Sequence, residues 1–396
     1  MKCVIILPDG AADHPLPMLD GRTPLQAANI PNMDWIAENG RLGRVRTVPD
    51  RYTPGTDVAT MSLFGYDPDV HFTGRAPIEA AARGLSAAPD QIIYRCNFVT
   101  IRDGKMADFT ADHVDQFEAD RLITDLNRAF ADEPIIFHAG VSYRNLMIAA
   151  NLSGDDLKCQ PPHDIPNQPV DDHGPQGTGS DRLRQIMNRS AELFADHQVN
   201  RIRRKQNRPP VTQIWLWGQG RPTQLEPFAA RFGLSGAVIT AVDIIRGLAV
   251  LMGMNLIDVH GATGYIDTDY AAKGRAAVHA LDAYDLVVTH VEAPDEAGHL
   301  GNAPEKVKSL ERIDELIVGP LLDALRKHHE WRILVAPDHP TPCTTRAHDA
   351  TPPPFCYAGS HLLPDQERPF SEPHAADAPL VTPGWHLMSQ FLNPTA

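Results

Sequence analysis

The sequence predicts an α/β fold with a doubly wound, mainly parallel sheet and a smaller α+β domain inserted into it. Short β-rich runs such as "CVIIL" and "WRILV" alternate with helical segments along much of the 396-residue chain. Such alternation is typical of a parallel sheet covered by helices on both faces. Between about residues 90 and 175 the pattern changes to hairpins. We therefore predict a discontinuous core of residues 1–89 and 176–396, with residues 90–175 as an inserted cap.

The first third of the chain predicts a strand, helices and a second strand, in that order. "CVIILPDG" is an apolar run that stops at Pro-Asp-Gly, which is the form of a strand that delivers an acidic residue to a loop. Thr23 followed by Pro24 is a typical helix start, and Gly40 is a typical helix end. "IYRCNFVTI" predicts another strand, and Asp103 with Gly104 predicts the hairpin turn that follows it.

The rest of the chain returns to strands and helices after a Pro- and Gly-rich connection, "CQPPHDIPNQPVDDHGPQGTGS". "QIWLWGQG" predicts a strand in which Trp215 and Trp217 are core aromatics. "AVDIIRGLAVLMGM" predicts a helix, "LVVTHV" a strand, and "EKVKSLERIDELIVGPLLDALRKHH" a long amphipathic helix that is perturbed at Gly319 and Pro320. "WRILVAPDH" predicts the final core strand.

The composition excludes several classes of function. The formal net charge of −14 argues against a broad nucleic-acid surface, which needs a basic stripe. We interpret the one dense basic run, "RIRRKQNR", as a solvated helix end or loop in preference to an anion site. No window approaches the run of about 18 apolar residues that spans a bilayer. The five cysteines are scattered and odd in number, which predicts a reducing, cytoplasmic setting.

Acidic residues and histidines follow three of the predicted strands. Because the carboxyl ends of parallel strands share one edge of a sheet, we expect these side chains to converge there. One tetrahedral ion needs about four ligands, so the larger set predicts two ions, and mixed oxygen and nitrogen donors favour manganese or zinc over calcium. The alternatives are an ordinary polar loop and histidines satisfied by local hydrogen bonds. The candidate ligands are Asp9, Asp295, His299, Asp338, His339 and His348.

A two-metal site for phosphoryl chemistry also needs a nucleophile, and Thr56 in "PGTDVATMSLFG" is the candidate. A hydroxyl at a helix N-terminus has backbone amides and the positive end of the helix dipole beside it, which favours phosphate. The alternative is that Thr56 caps the helix, and from this segment alone we favour capping. The two roles are compatible in different states of one side chain.

Several motifs together resemble the archaeal type of cofactor-independent phosphoglycerate mutase, a family of the alkaline phosphatase superfamily. The chain contains, in order, "PDGAAD", "PGTDVATMSLFGYDP", "TGRAPIEAAARG", "YRCN", "GVSYRNL", "PPHDI", "GATGYIDTDY", "EAPDEAGH" and "DHPTP" followed by "RAH". The resemblance implies an alkaline-phosphatase-type core with an inserted cap, and an isomerase of glycolysis and gluconeogenesis that interconverts 3-phosphoglycerate and 2-phosphoglycerate. It further implies two divalent cations, for which we expect manganese first and zinc, magnesium or cobalt as alternatives.

The resemblance also implies roles for individual residues. The expected ligands of one metal are Asp9, Thr56, Asp338 and His339, and those of the other are Asp295, His299 and His348. Thr56 is also the expected nucleophile, standing where family members usually have serine, so the covalent intermediate would be a phosphothreonine. The expected substrate-binding residues are Arg75, Arg95, Asn97, Arg144 and His163. A general base is needed as well, for which Asp57 and His163 are candidates.

Three rival functions remain open from the sequence. The same machinery serves a homoserine kinase-like phosphotransferase or a phosphohydrolase, and a non-catalytic metal- or phosphate-binding protein is a further alternative. In each catalytic case the partner is a small molecule, and for the mutase it is a small phosphorylated carboxylate. We expect neither a nucleic-acid nor a membrane partner, and the sequence leaves the oligomeric state open.

Overall fold

The computed structural model describes residues 1–150, 152, 156–365 and 367–393. The chain divides into two compact units. The first unit combines Met1–Phe72 with Gln224–Ala396, and the second is Thr73–Thr223. The first unit is therefore discontinuous in sequence.

The strands in chain order are β1 (Lys2–Pro8), β2 (Arg41–Val45), β3 (Gln91–Arg102), β4 (Lys105–Asp108), β5 (Ile135–Val141), β6 (Arg144–Ala150), β7 (Gln213–Gly220), β8 (Gly236–Ile239), β9 (Asn255–Leu256), β10 (Leu286–Val291), β11 (Trp331–Val335), β12 (Pro354–Gly359) and β13 (Leu380–Val381).

The helices are α1 (Pro24–Ala27), α2 (Pro31–Glu38), α3 (Thr56–Leu63), α4 (Pro68–His71), α5 (Arg75–Ala82), α6 (Gln116–Ala129), α7 (Ser180–Ala195), α8 (Gln198–Lys205), α9 (Phe228–Phe232), α10 (Asp243–Leu251), α11 (Tyr270–Ala280), α12 (Ala293–Leu300), α13 (Ala303–Ile313), α14 (Gly319–Leu325), α15 (Glu372–Ala375) and α16 (His386–Leu392). A π-helical turn, Asp314–Val318, connects α13 to α14 just before the predicted perturbation. Among the described residues, none of these helices is long and apolar enough to cross a membrane.

The second unit is longer at both ends than the predicted cap of residues 90–175. β7 pairs antiparallel with β3, and α5 packs against both strands. Residues 73–89 and 176–223 therefore belong to the inserted unit, although their local pattern of strands and helices resembles that of the core. The predicted boundaries were wrong because the pairing of β7 with β3 links positions that are far apart in sequence.

The sheet of the first unit has the strand order β13-β2-β12-β11-β1-β10-β8-β9. β1 pairs in parallel with both β10 and β11, and β8 continues the parallel arrangement beyond β10. β12 is antiparallel to both of its neighbours. The predicted mainly parallel sheet is confirmed, and β1 lies near its centre.

Helices cover both faces of this sheet. Val4, Ile6 and Ile333 belong to one hydrophobic core together with residues of α2, α11 and α13. Arg332 points to the opposite face, because successive side chains of a strand alternate, and its guanidinium donates a hydrogen bond of 2.8 Å to the carbonyl of Phe391 in α16. The core strands are thus buried on both sides, which explains why they are almost uninterrupted apolar runs.

The second unit has its own five-stranded sheet, of order β4-β3-β6-β5, and β7 also pairs with β3. Its strand pairs are antiparallel. The basic run "RIRRKQNR", which we interpreted as solvated, includes a buried residue in α8. Arg203 is fully buried, and its guanidinium pairs with Glu118 at 2.5 Å. This run therefore includes a structural ion pair.

Candidate metal centre

Three adjacent strands bring candidate ligands to one edge of the first unit's sheet. β1 lies between β10 and β11 and runs parallel to both. Asp9 follows β1 directly, Asp338 and His339 follow β11, and Asp295 lies in the first turn of α12 after β10. The carboxyl ends of the strands therefore carry the acidic groups together, as the sequence predicted.

Gly10 allows the loop after β1 to pass close to Asp295. Its φ angle is +59°, and a Cβ atom added at this position would lie 2.5 Å from Asp295 Oδ1. Only glycine adopts such a backbone conformation without strain while leaving room for the neighbouring carboxylate.

The first cluster forms around the Nε2 atom of His339. This nitrogen lies 3.3 Å from Asp338 Oδ2, 3.6 Å from Asp9 Oδ1 and 3.3 Å from Thr56 Oγ1. All four residues are buried. The structure thus brings together the four residues predicted to share one ion.

Each carboxylate of the first cluster has one oxygen anchored and one oxygen without a partner. Asp338 Oδ1 accepts hydrogen bonds from the backbone amides of Gly10, at 3.1 Å, and His339, at 2.9 Å. Asp9 Oδ2 contacts His290 Nε2 at 2.8 Å. Asp9 Oδ1 and Asp338 Oδ2 are buried and make no hydrogen bond within the described residues. Buried carboxylate oxygens without a donor are costly, so these two oxygens fit a site for a cation.

Thr56 is the first residue of α3 and does not act as its cap. Gly55 occupies the N-cap position, and no side chain caps the helix within the described residues. The carboxylate of Asp57 instead accepts a hydrogen bond of 2.9 Å from the amide of Val58. The capping role that we favoured for Thr56 was therefore wrong, and its hydroxyl contacts His339.

The second cluster consists of Asp295, His299 and His348. His299 Nε2 lies 3.2 Å from Asp295 Oδ2, and His348 Nε2 lies 3.6 Å from Asp295 Oδ1. The two Nε2 atoms are 3.0 Å apart. Asp295 and His299 are four residues apart in α12, a spacing that puts both side chains on one face of the helix.

The three candidate ligand histidines all point Nε2 into a cluster and hold Nδ1 outside it. His299 Nδ1 donates to the carbonyl of Arg346 at 3.0 Å, and His348 Nδ1 donates to the carbonyl of Pro54 at 3.2 Å. His339 Nδ1 lies 3.3 Å from the hydroxyl of Thr341. A metal-binding histidine almost always donates its other ring N–H in this way. The donor set therefore fits divalent cations held by oxygen and nitrogen.

The electrostatics of the edge also fit bound cations. Burial raises the pKa of Asp9 well above its ordinary value, and the nearby carboxylates of Asp338, Glu292 and Asp295 raise it further. Burial likewise raises the pKa of Glu292 to about 8. The hydrogen bond with Asp295 raises the pKa of His299 to about 9, so a proton is held where a cation would stand. Metal binding at such a site displaces that proton.

Three polar residues at this edge were missed from the sequence. Glu292 follows β10, and the buried His290 lies in that strand. The signal was present in "THVEAPDEAGH", where a histidine interrupts an apolar strand two residues before an acid. Thr341 joins the two clusters, because its hydroxyl donates to Asp295 Oδ1 and lies beside His339.

Two buried lysines hold the loops around the site. Lys306 Nζ donates to the carboxylate of Asp13 at 3.0 Å and to the carbonyls of Ala12, at 3.1 Å, and Thr341, at 2.9 Å. It therefore fastens the loop after β1 to the loop after β11. Lys273 Nζ donates to the carbonyl of His290 at 3.1 Å.

The candidate substrate-binding residues lie in the second unit and form a separate cluster there. One buried carboxylate, Glu79, contacts Arg75 Nε at 3.1 Å and Arg95 Nε at 2.9 Å. Burial alone would raise the pKa of Glu79, but the charges of Arg95 and Arg75 outweigh it and lower the pKa. Glu79 was also missed from the sequence, since nothing local distinguishes it from any other helical glutamate.

Aromatic rings complete this cluster. The Arg95 guanidinium lies 4.1 Å from the centre of the Trp217 ring, and the Trp217 indole donates to Asn97 Oδ1 at 3.1 Å. The ring of His163 contacts the same tryptophan edge-on at 5.1 Å. Arg144 stands opposite Asn97 in the pairing of β6 with β3. Trp217 is buried, as predicted for a core aromatic, and it also supports Arg95.

Comparisons with known proteins identify relatives over the whole chain. The family described as 2,3-bisphosphoglycerate-independent phosphoglycerate mutase matches residues 37–200. The chain is 46% identical to "2,3-bisphosphoglycerate-independent phosphoglycerate mutase 2" of Methanothermobacter thermautotrophicus, over 100% of this chain and 98% of that protein. The structure of the PH0037 protein from Pyrococcus horikoshii is similar with a TM-score of 0.82 at 27% identity, covering 100% and 98% of the two chains.

A cofactor-independent phosphoglycerate mutase from Thermoplasma acidophilum shares the fold, with a TM-score of 0.66 at 24% identity and full coverage of both chains. The fold and the two clusters define an α/β enzyme with carboxylate and imidazole donors grouped at the carboxyl edge of its sheet. The chain belongs to the 2,3-bisphosphoglycerate-independent phosphoglycerate mutase family. This confirms the family and the class of enzyme predicted from the motifs.

Proposed function

We propose that this protein interconverts 3-phosphoglycerate and 2-phosphoglycerate without 2,3-bisphosphoglycerate, through a phosphothreonine formed on Thr56. Membership of the family supports the reaction. The observation that carries the proposed intermediate is the position of Thr56 Oγ1, which lies 3.3 Å from His339 Nε2 within a cluster of candidate ligands.

The donor set supports two divalent cations, and manganese is the ion that we propose. The ligands of the first are Asp9, Thr56, Asp338 and His339, and those of the second are Asp295, His299 and His348. When bound, such ions neutralise charge on the phosphoryl oxygens and favour ionisation of a hydroxyl.

Thr56 performs two reciprocal transfers in this proposal. Its oxygen attacks the phosphorus of 3-phosphoglycerate, the bond from phosphorus to the substrate's 3-oxygen breaks, and that oxygen takes up a proton as the Thr56 proton is lost. The 2-hydroxyl of the glycerate then attacks the phosphothreonine and loses its proton, and the Thr56 oxygen is released and protonated again. Atoms and protons balance over the two steps, so no net phosphoryl donor is consumed.

The cationic cluster of the second unit is assigned to the anionic groups of the substrate. Guanidinium groups match phosphate and carboxylate oxygens in pairs. Glu79 fixes the Nε edges of two of the arginines and thereby sets the orientation of their planes. The proposed substrate-binding residues are Arg75, Arg95, Asn97, Arg144 and His163.

The reaction is tested with purified protein and manganese, with 3-phosphoglycerate as substrate and enolase as the coupling enzyme. Turnover without added 2,3-bisphosphoglycerate supports the proposal. Phosphorylation of homoserine with ATP, in the absence of mutase turnover, would instead assign the protein the homoserine kinase-like function. Release of inorganic phosphate as the main product would make the protein a phosphohydrolase.

The nucleophile is tested with substitutions of Thr56 and one matched control. Thr56→Val removes the hydroxyl at nearly constant volume and is expected to lower kcat by more than about 10³-fold and to abolish the phosphoryl adduct trapped on the peptide. Thr56→Ser is expected to retain both. Thr60→Val is the control, because Thr60 is buried in the same helix and its hydroxyl has no hydrogen-bond partner within the described residues. A trapped adduct that persists in Thr56→Val would remove Thr56 from the mechanism.

A further inference from the structure

His290 is a fully buried histidine beside the first cluster that belongs to neither proposed ligand set. Its Nε2 atom lies 2.8 Å from Asp9 Oδ2, and its Nδ1 atom lies 3.1 Å from Thr240 Oγ1. We propose that Thr240 and His290 are positioning residues, forming a hydrogen-bonded chain that determines which oxygen of Asp9 faces the metal. This inference rests on the proposed function, because it requires Asp9 to be a ligand.

The direction of the hydrogen bonds follows from the chemistry of the groups. A carboxylate that binds a cation is ionised and can only accept, so in the metal-bound protein His290 Nε2 carries a proton and donates a hydrogen bond to Asp9 Oδ2. The other ring nitrogen of a neutral imidazole is then an acceptor, and the hydroxyl of Thr240 supplies the donor. That hydroxyl can still accept, and its oxygen receives the backbone amide of Val242 at 3.1 Å. Every donor in this series of hydrogen bonds therefore has an acceptor.

His290 thus has the opposite tautomer to the three proposed ligand histidines. His299, His339 and His348 hold Nδ1 against an oxygen and direct Nε2 into a cluster. In His290 both ring nitrogens are engaged, so neither retains a lone pair for an ion. The carboxylates of Asp9 and Glu292 do lie close to His290, but Glu292 Oε2 is 3.6 Å from Nε2, beyond the usual length of a hydrogen bond.

The consequence for Asp9 is that its two oxygens are no longer equivalent. Oδ2 is occupied by His290, whereas Oδ1 is buried without a partner and faces His339. The backbone of His290 is itself fixed by Lys273 Nζ, which donates to its carbonyl at 3.1 Å. Removing the His290 donor would leave the carboxylate free to rotate and would leave Oδ2 buried without a hydrogen bond.

The experiment is a manganese titration of the metal-free protein, with free Mn²⁺ followed by electron paramagnetic resonance. His290→Leu is expected to weaken one of the two sites about 10- to 100-fold, the usual effect of losing a partner of a metal ligand, and to leave the other within about threefold. His290→Gln keeps a donor near the Nε2 position and is expected to restore most of the affinity. Thr240→Val is expected to weaken the same site by less than His290→Leu does.

Thr289→Val is the matched control. Thr289 precedes His290 in the same strand, is buried, and has a hydroxyl without a hydrogen-bond partner within the described residues. The Thr289→Val variant should therefore bind Mn²⁺ at both sites with the affinities of the wild type. Circular dichroism melting establishes that each variant is folded. Equal affinity in His290→Leu and the wild type would overturn the inference. So would a His290→Gln variant as weak as His290→Leu, because a hydrogen-bond donor at this position would then not be what the site requires. A wild-type protein that binds no manganese would instead overturn the proposed function.

Discussion

Asp338→Asn is expected to change the thermal stability in opposite directions with and without metal. The substitution retains an oxygen that accepts from the backbone amides of Gly10 and His339. It replaces the other oxygen, which is buried without a donor, with an amide nitrogen beside His339 Nε2. One buried negative charge is therefore removed while the shape and the anchoring hydrogen bonds stay the same.

The magnitude follows from the distances around His339. Asp9 Oδ1 and Asp338 Oδ2 lie 3.6 Å and 3.3 Å from the same nitrogen, so they are at most about 7 Å apart. Two ionised groups at that separation repel by about 2 kcal/mol at an effective dielectric constant of about 20. Since burial and neighbouring carboxylates raise the pKa of Asp9, proton uptake relieves part of this repulsion. The metal-free variant should therefore gain on the order of 2 kcal/mol.

Under the proposed function, manganese is expected to reverse this order of stability between the variant and the wild type. At about 100 times its Kd, a ligand that binds only the folded state stabilises it by about 2.7 kcal/mol per site. At about 2–4 °C per kcal/mol, the wild-type Tm should rise by about 5–10 °C per occupied site. The Asp338→Asn variant should lose the rise in Tm that comes from a cation bound at the first cluster.

The assay is differential scanning calorimetry with chelator and with manganese. Asp314→Asn is the control, because Asp314 is a buried carboxylate outside the clusters that accepts the amide of Met33 at 2.7 Å. It should lower the Tm equally in both conditions. A Tm of metal-free Asp338→Asn below that of the metal-free wild type would refute the account of uncompensated charge at this edge.

Three further predictions concern other parts of the molecule. Glu79→Gln should destabilise the protein by about 3–5 kcal/mol at pH 7 in urea unfolding, because the buried guanidinium of Arg95 loses its carboxylate partner. The lowered pKa means that this contribution is present above the ordinary value of 4.5 and disappears as the pH falls through the folded-state value, so equal midpoints at pH 7 would contradict it. His299→Ala should reduce the bound manganese, measured by mass spectrometry of the metal, from two ions to one per chain, and retention of both would exclude His299 as a ligand. Gly10→Ala should weaken metal binding as well as stability, since its Cβ would stand 2.5 Å from Asp295 Oδ1; unchanged affinity would show that the loop relaxes freely.

The strand ends could be predicted because their signal is local. An apolar run that ends in an acid, as at Asp9 and Asp338, gives both the strand and the position of the carboxylate on it. Parallel pairing then brings such positions to one edge. The roles of His290 and Glu79 could not be predicted in the same way, because their contacts with Asp9 and Arg95 join different elements of the fold. The sequence shows His290 only as an interruption of an apolar strand.

The predictions of the domain boundaries and of the N-cap of α3 were wrong for related reasons. The pairing of β7 with β3 joins positions more than a hundred residues apart, and no local pattern records it. At the start of α3, Gly55 and Thr56 were both suitable for the N-cap position by residue type. The contact of Thr56 with His339 depends on the arrangement of β11, which a short segment does not contain.

The first unit combines Met1–Phe72 with Gln224–Ala396, and this has a consequence for the order in which its parts are synthesised. Asp9 and Thr56 leave the ribosome early, whereas Asp295, Asp338 and His348 emerge only after the whole second unit has been made. In the proposed two-metal site, the early segment would hold its cation only after the segment from Asp295 to His348 has joined it. A nascent chain that stops before residue 338 would present only Asp9 and Thr56 of the four proposed ligands of the first cluster.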